Sequence, residues 1–382
     1  MNYKVLSVIA ALFALSCETY SSIDVVTVQI IDDPIIVTSN ILGIIDYKFA
    51  DSECMLLPGY IDSSDSLIYI GLSGDSSSAG VSAYSWEGNT KWSVDYGNYG
   101  YAAGVCYYAD SVFFSVLEEM PVLDATTGEY LSSISVEGIS DSLMLPEAPD
   151  DYLPAIKATQ AMEINSDVLL WTLPEFCQRA SYCGFITDKE FSYQRNLRIY
   201  RIENIWYIGF TEGHFQRLSL YEIPSNSYMQ RPNICNIALT DSSIIAILSY
   251  RDLLMEFDYQ GHHIRSTHFG HQLNGPTQFT CTFPVSSSAR CLLSDLDTDD
   301  KGNIYLLYTG YGTNQDGKAE IWRVNTVTGE ARMTQLNHSA CAFTVYGDRV
   351  AVVEKTYEPG EGDEVILLGT PSIHLYQIDW DL

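Results

Sequence analysis

Short apolar runs separated by turn clusters dominate the chain, and the stretch from Leu293 to Leu336 shows the pattern most fully. Within it Asn303–Tyr308, Glu320–Val324 and Ala331–Leu336 are largely apolar, parted by clusters of Asp, Gly, Asn and Thr, and a leading run covers Cys291–Leu296. Runs of that length bounded by turn residues predict four short antiparallel strands joined by hairpins. No stretch shows sustained helical periodicity with caps, so the expected class is all-β.

A four-stranded sheet this small has two faces to bury, and repeating it around a ring buries both, which predicts a β-propeller. The same rhythm places strands at Ser66–Leu72, Val81–Trp86 and Lys91–Val94, then at Gly104–Tyr108, Val112–Leu117, Pro121–Asp124 and Tyr130–Val136. Further runs cover Ala158–Ile164, Val168–Leu173, Leu197–Ile202, Ile205–Phe210 and Arg217–Ile223, and after them Ile234–Leu239, Ile244–Tyr250, Leu253–Asp258 and His262–Phe269. Ala340–Tyr346, Arg349–Glu354 and Ile373–Ile378 make the last unit. The count is six or seven four-stranded blades, according to whether Ala158–Ile223 is one irregular unit or two. Either of two apolar runs ahead of the first unit, Val25–Ile31 or Pro34–Phe49, could supply the strand that closes the ring. Two stretches break the rhythm: Gly138–Lys157, with a proline-rich and acidic PEAPDDYLPA core, and Gly270–Ala289. Both read as long inter-blade loops, where binding determinants concentrate on a rigid scaffold.

Two of these units carry a family resemblance. AYSWEGNTKW at 83–92 and PVLDATTGEYL at 121–131 are similar to the strand-turn-strand signature of the pyrroloquinoline-quinone-type propeller repeat, through Asp124, Thr127 and Gly128 and more loosely Gly88 and Trp92. VNTVTGEA at 324–331 echoes the same turn. The resemblance implies a repeat architecture and no bound cofactor. DDKGNIYLLY at 299–308 resembles the strand opening of NHL and TolB-like propellers, a group that includes bacterial lipoproteins; that analogy favours six blades.

The N-terminus reads as a targeting segment. Lys4 gives it a positive charge, Val5–Phe13 is apolar but too short to span a bilayer, and Ala14-Leu15-Ser16 precedes Cys17. The arrangement resembles the lipobox of bacterial lipoproteins, which implies that Cys17 receives a diacylglycerol and becomes the first mature residue. The expected organisation is a signal peptide at 1–16, a tether and N-terminal segment at 17–33, and a single β-propeller domain at 34–382. The expected location is the cell envelope, lipid-anchored to a membrane and facing the periplasm or exterior.

Export changes the reading of the cysteines. Eight remain besides Cys17, and Cys177 with Cys183 and Cys281 with Cys291 are close pairs in irregular segments, hence candidate disulfides. Closing loops this short stabilises by roughly 2–3 kcal/mol in the chain-entropy account. Zinc is a poor reading, because no Cys-x-x-Cys pair exists.

A formal charge of −29, from 49 acids against 20 bases, excludes nucleic acid as a partner, since its phosphates would be repelled. Asp295, Asp297 and Asp299 alternate as in a calcium loop, but Asp300 occupies the glycine position, so they read as initiators of a hairpin turn. His262, His263, His268 and His271 cluster, yet alternation puts His263 on the opposite face from His262 and His268, and they read as solvated outer-strand residues. No metal and no cofactor is expected. Gly-x-Ser-x-Gly, phosphate loops and His-Glu-x-x-His are all absent. Inner-strand runs such as Gly104–Tyr108, Ile234–Leu239 and Ala340–Tyr346 offer no His, Arg or Lys. That composition favours a non-catalytic, membrane-tethered propeller binding a protein, peptide or glycan through loops on one face. The alternative is a propeller hydrolase or lyase acting on polysaccharide, with aromatic loop residues such as Tyr96, Tyr99, Tyr101, Tyr311 and Trp380 serving sugar binding in either case.

Metabolic labelling with a palmitate analogue should tag the wild-type chain and leave Cys17→Ser unlabelled; equal labelling of the two would remove the lipobox reading.

Overall fold

The computed structural model describes residues 28–31, 34–45, 57–73, 79–96, 104–115, 119–135, 161–164, 169–172, 182–187, 194–202, 205–210, 216–217, 234–240, 242–248, 253–259, 263–269, 293–299, 301–308, 318–359 and 365–381. Three short strands come first: β1 (Val28–Ile31), β2 (Ile35–Ile36) and β3 (Ser39–Ile45). One four-stranded meander follows, of β4 (Leu57–Ser63), β5 (Leu67–Ser73), β6 (Ala79–Ser85) and β7 (Thr90–Asp95). A second has β8 (Gly104–Tyr108), β9 (Ser111–Ser115), β10 (Glu119–Asp124) and β11 (Tyr130–Ser135). Six strands then form one sheet: β12 (Ala161–Ile164), β13 (Leu169–Thr172), β14 (Tyr182–Thr187), β15 (Gln194–Ile202), β16 (Ile205–Phe210) and β17 (Gln216–Arg217). Four-stranded meanders resume with β18 (Ile234–Leu239), β19 (Ser243–Leu248), β20 (Leu253–Asp258) and β21 (His263–Phe269), and with β22 (Leu293–Thr298), β23 (Ile304–Tyr308), β24 (Glu320–Asn325) and β25 (Glu330–Gln335). The last sheet has β26 (Ala340–Tyr346), β27 (Arg349–Pro359) and β28 (Val365–Ile378), with β3 as its fourth strand.

The first strand of each sheet packs on the first strand of the next. β4 meets β8, β8 meets β12, β12 meets β18, β18 meets β22, β22 meets β26, and β26 returns to β4. A closed ring of sheets stacked face to face about a common centre is a β-propeller. Five of the sheets are four-stranded blades, which corrects the expectation of six or seven. Ala161–Arg217 makes neither one such blade nor two, because β14 forms where a loop was expected and ties β12–β17 into one unbroken ladder.

The closing strand comes from the N-terminus. β3 pairs antiparallel with β28, Ile45 opposite Ile373 and Ser39 opposite Ile378, so one end of the chain completes the sheet begun by the other. Ahead of it, β2 lies parallel to β25 and β1 parallel to β21. Residues 28–31 and 34–45 thus run as a belt across the outer edges of three successive sheets. The belt covers two edge strands that would otherwise present unpaired backbone to solvent. Its exposed side chains include the apolar Ile35, Ile36, Ile41, Leu42 and Ile44 beside Thr38 and Asn40.

Each core cluster lies at a boundary between sheets. Ile304, Leu306 and Tyr308 of β23 pack with Ala238, Ile245, Ile247 and Leu254 on one side, while Tyr305 and Leu307 pack with Phe343, Val345, Val350 and Val352 on the other. Both faces of a blade are buried, so its central strand reads as an unbroken apolar run where a half-exposed strand would alternate. Two further boundaries repeat the arrangement, around Leu67, Val81, Val112 and Leu123 and around Ile70, Ala351, Val353 and Ile373.

The resemblance to the quinone-type repeat has a physical basis in one of these boundaries. Asp124 Oδ1 accepts from Thr126 N (3.0 Å), Thr127 N (2.8 Å) and Thr127 Oγ1 (2.9 Å), folding the chain into a tight turn that Gly128 leaves at φ +74°. Trp92 of the preceding blade donates its Nε1–H to Ala125 O at 3.0 Å and lays its ring under Gly128. A Cβ at Gly128 would stand 2.7 Å from that ring. Gly128→Ala therefore combines left-handed backbone strain with overpacking and should cost roughly 2–4 kcal/mol in urea denaturation; a loss below about 1 kcal/mol would show that the Trp92 contact does not hold the two blades together.

Candidate functional site

Two groups of polar side chains stand out, one at each end of the inner strands. The first grows from a backbone irregularity. β4, β18, β22 and β26 each carry a bulge near their start, at Gly59, Cys235, Ser294 and Cys341, where the register with the second strand slips by one residue. Three residues on, the equivalent positions hold Asp62, Ala238, Asp297 and Thr344. A bulge re-aims the side chains that follow it.

Asp62 and Asp297 use that position in the same way. Asp62 Oδ1 accepts the N–H of Ser63 at 2.7 Å and Oδ2 accepts the N–H of Tyr107, on the neighbouring inner strand β8, at 2.6 Å. Asp297 Oδ1 accepts the N–H of Thr298 at 2.7 Å and Oδ2 that of Val345, on β26, also at 2.7 Å. Asp295 repeats the bond one pleat earlier, to Leu296 N (2.9 Å) and Phe343 N (2.9 Å). Two hydroxyls close other junctions: Thr298 Oγ1 donates to Leu239 O at 2.9 Å, and Ser63 Oγ and Thr344 Oγ1 are 2.9 Å apart across the β4–β26 boundary. Of the three acids read as turn initiators, only Asp299 does that work, binding Lys301 N, Asn303 N, Asn303 Nδ2 and Tyr305 OH. Burial raises the Asp62 carboxyl to about 7, helped by the charge of Asp297, and the accepted N–H bonds pull back. Burial likewise raises Asp297 to about 6.

The second group lies at the opposite end, where β26 begins. Alternation along β28 puts Ser372, His374 and Tyr376 on one face, and cross-strand register sets Glu354 of β27 opposite Ser372 and Val352 opposite His374. Ser372 Oγ is 2.8 Å from His374 Nε2, His374 Nδ1 is 3.3 Å from Glu354 Oε2, and Tyr376 OH donates to Glu354 Oε1. Glu354 is 3% exposed and His374 8%, so both are held out of water. Desolvation pushes the Glu354 carboxyl up, with the Tyr376 hydrogen bond and His338 opposing. It pushes the His374 imidazole down, and His338, whose ring centroid is 6.0 Å away, adds to that. Next to this group β27 and β28 continue together beyond both neighbours, from Thr356 opposite Leu368 to Pro359 opposite Val365, while β26 stops at Ala340 and β3 at Ile45. They leave the sheet as a two-stranded arm.

The residues singled out from sequence fare unevenly. Cys17, Cys177, Cys281 and Cys291 lie outside the described residues, as do the stretches Gly138–Lys157 and Gly270–Ala289. Cys183 falls on β14, at a slip of register between Tyr182 and Gly184. His263 and His268 fall on the outer strand β21, and His262 and His271 are outside the described residues. Trp380 is a core residue, 3% exposed and packed edge-on to Tyr305, and Tyr96 packs on Phe114. No group of three or more metal-ligating side chains occurs among the described residues. The Glu354–His374–Ser372 line had a sequence signal that was not read: hydroxyl, imidazole and phenol at period two in SIHLY.

No family model matches the chain, and no curated protein matches it. Among solved structures, the WD40 domain of Neurospora crassa Pan2 is similar at 11% identity over 90% of this chain and 97% of its own, with a TM-score of 0.48. A protein of Bacteroides fragilis described as exported is similar at 10% identity, over 92% of this chain and 100% of its own (TM-score 0.46). BamB of Moraxella catarrhalis is similar at 11% identity, over 89% and 96% of the two chains (TM-score 0.32).

The raised carboxyls at Asp62 and Asp297 give a signed pH dependence. Their folded values lie above the ordinary carboxylate range, so the native state holds protons that the unfolded chain releases. Their stabilising contribution is complete below about pH 4 and is lost as the pH rises through about 6 to 7. Asn imitates the protonated form, so Asp62→Asn should cost more stability at pH 5 than at pH 8; an equal cost at both would mean that Asp62 is ionised across that range.

Proposed function

We propose that the chain is an exported propeller, tethered to a membrane by lipid on Cys17, whose loop-bearing face binds or scaffolds a protein, peptide or glycan. The observation that carries this reading is the use made of the inner-strand acids. Asp62, Asp295 and Asp297 each direct both oxygens at backbone N–H groups, so these inner-strand carboxyls are engaged in tying one strand to the next. A ring held so firmly suits a scaffold that displays contacts at its ends.

Topology favours one end over the other. Both expected loops connect an outer strand to the next inner one, β11 to β12 and β21 to β22, as the turn containing His338 connects β25 to β26. The two-stranded arm of β27 and β28 leaves at that same end. Apolar Ile35, Ile36, Ile41, Leu42 and Ile44 on the belt follow directly on the tether, which supports a rim held near the bilayer. A strongly acidic chain, at −29, further favours a basic or neutral partner.

A photocrosslinking amino acid tests the choice of face. Placed at His338, it should give discrete adducts in cells, and placed at Lys301, in the β22–β23 turn at the other end, it should give none. Adducts only from position 301, or from neither position, would contradict the reading.

A further inference from the structure

We propose that Ser372, His374 and Glu354 form a nucleophile, base and orienting acid for acyl transfer from carboxylic esters, at the loop-bearing end and outside the ring centre. A triad of this kind is recognised by geometry and roles, not by sequence position or motif. The spacing here fits: 2.8 Å from Ser372 Oγ to His374 Nε2 and 3.3 Å from His374 Nδ1 to Glu354 Oε2. The second contact is close enough for an ion pair but short of hydrogen-bond alignment, since both atoms are buried without a hydrogen-bond partner. Catalytic hydrogen bonds are commonly loose before substrate binds.

The surrounding bonds select the tautomer. Tyr376 OH donates to Glu354 Oε1, which leaves Oε2 as the acceptor facing Nδ1. A proton on Nδ1 satisfies both buried atoms, and Nε2 is then the lone pair that accepts Ser372 Oγ–H. That is the form in which an imidazole can act as a general base. Burial favours the neutral ring for the same purpose. Ser372 itself is only partly buried, at the base of the arm. Three residues therefore meet the requirement for an activated nucleophile: a hydroxyl, a base in contact with it, and a third group orienting the base.

The reaction balances without a cofactor. Ser372 Oγ attacks the ester carbonyl carbon as its proton passes to His374 Nε2. On collapse the bond from that carbon to the leaving oxygen breaks, and Nε2 returns the proton to the departing alkoxide. Water then attacks the acyl-serine with the same two proton transfers, releasing the acid and restoring Oγ–H. Ser372 and His374 touch the reacting atoms, whereas Glu354 and Tyr376 are positioning residues that act through the imidazole. The ring-closing carboxylates take no part.

A fluorophosphonate probe, which phosphonylates activated serine with loss of fluoride, tests this on the full chain. Peptide mapping of the labelled wild type should place the adduct on Ser372, which needs no variant to fold. Ser372→Ala and His374→Gln, checked for folding by circular dichroism, should lose the label and hydrolysis of p-nitrophenyl acetate. Glu354→Gln should slow labelling by about 100-fold or more. Folded Glu354→Gln should also shift the pH profile of labelling at Ser372, a change that a glutamate serving only packing would not produce. No adduct at Ser372 on the folded wild-type chain, or undiminished labelling in folded His374→Gln, overturns the proposal.

Discussion

The inner strand of a propeller blade is an edge strand, and its outward row of backbone N–H groups has no ladder partner. A propeller must satisfy those donors or expose them to water in its centre, and an unpaired buried N–H costs about as much as a lost hydrogen bond. Here side chains of one inner strand reach the backbone of the next. Asp62 binds Tyr107, Asp295 binds Phe343 and Asp297 binds Val345, each through an oxygen left over after the same side chain has accepted a nearby N–H of its own strand. A carboxyl group is suited to this because it has two oxygens to direct at two strands. Its cost is desolvation, visible in the raised carboxyls of Asp62 and Asp297. Closure of the ring thus depends on carboxyl oxygens held where their charged form is poorly solvated, so Asp62 and Asp297 keep protons that the unfolded chain gives up.

The remaining cohesion is hydrophobic and lies between sheets. Clusters on either side of β23 bind its blade to both neighbours, and the Trp92 ring against Gly128 does the same further out. No sheet can bury both faces alone, so each depends on the ring, and the ring depends on its closure by β3. The belt of residues 28–31 and 34–45 ties that closure to two further sheets. Ends of the inner strands are left to differ. At one the Asp-bearing positions tie strand to strand; at the other the β27–β28 arm leaves the sheet.

Much of this was legible in the chain. Blade strands with both faces buried announce themselves as apolar runs between Asp, Gly and Asn clusters, and the turns at Asp124 and Asn325 carry the residues that their hydrogen bonds require. Closure by an N-terminal strand was expected from either of two surplus runs, Val25–Ile31 or Pro34–Phe49, and β3 lies in the second. Two things were hidden. β4 was not read as the first blade's inner strand because Gly59 and Pro58 break its alternation at the bulge, and β14 sits where Cys183 and Gly184 suggested a loop. The blade count failed there, since nothing local in Ala161–Arg217 says that six strands stay in one ladder. Sites suffer more, because a strand's partner is set by tertiary pairing. Glu354 meets His374 through cross-strand register, and Asp62 meets Tyr107 only because successive inner strands pack side by side.

The two polar groups divide along the same axis: the acids tie inner strand to inner strand at one end, and the Glu354–His374–Ser372 line lies at the other, where β26 begins. The most direct test of ring closure is amide hydrogen exchange at Tyr107, Phe343 and Val345. These N–H groups belong to edge strands, yet bonding to carboxylates of the neighbouring strand should protect them like interior ladder amides, and Asp297→Ala should release Val345 while leaving Tyr107 protected. Exchange of all three at the rate of exposed turn amides in the wild-type chain would contradict the account.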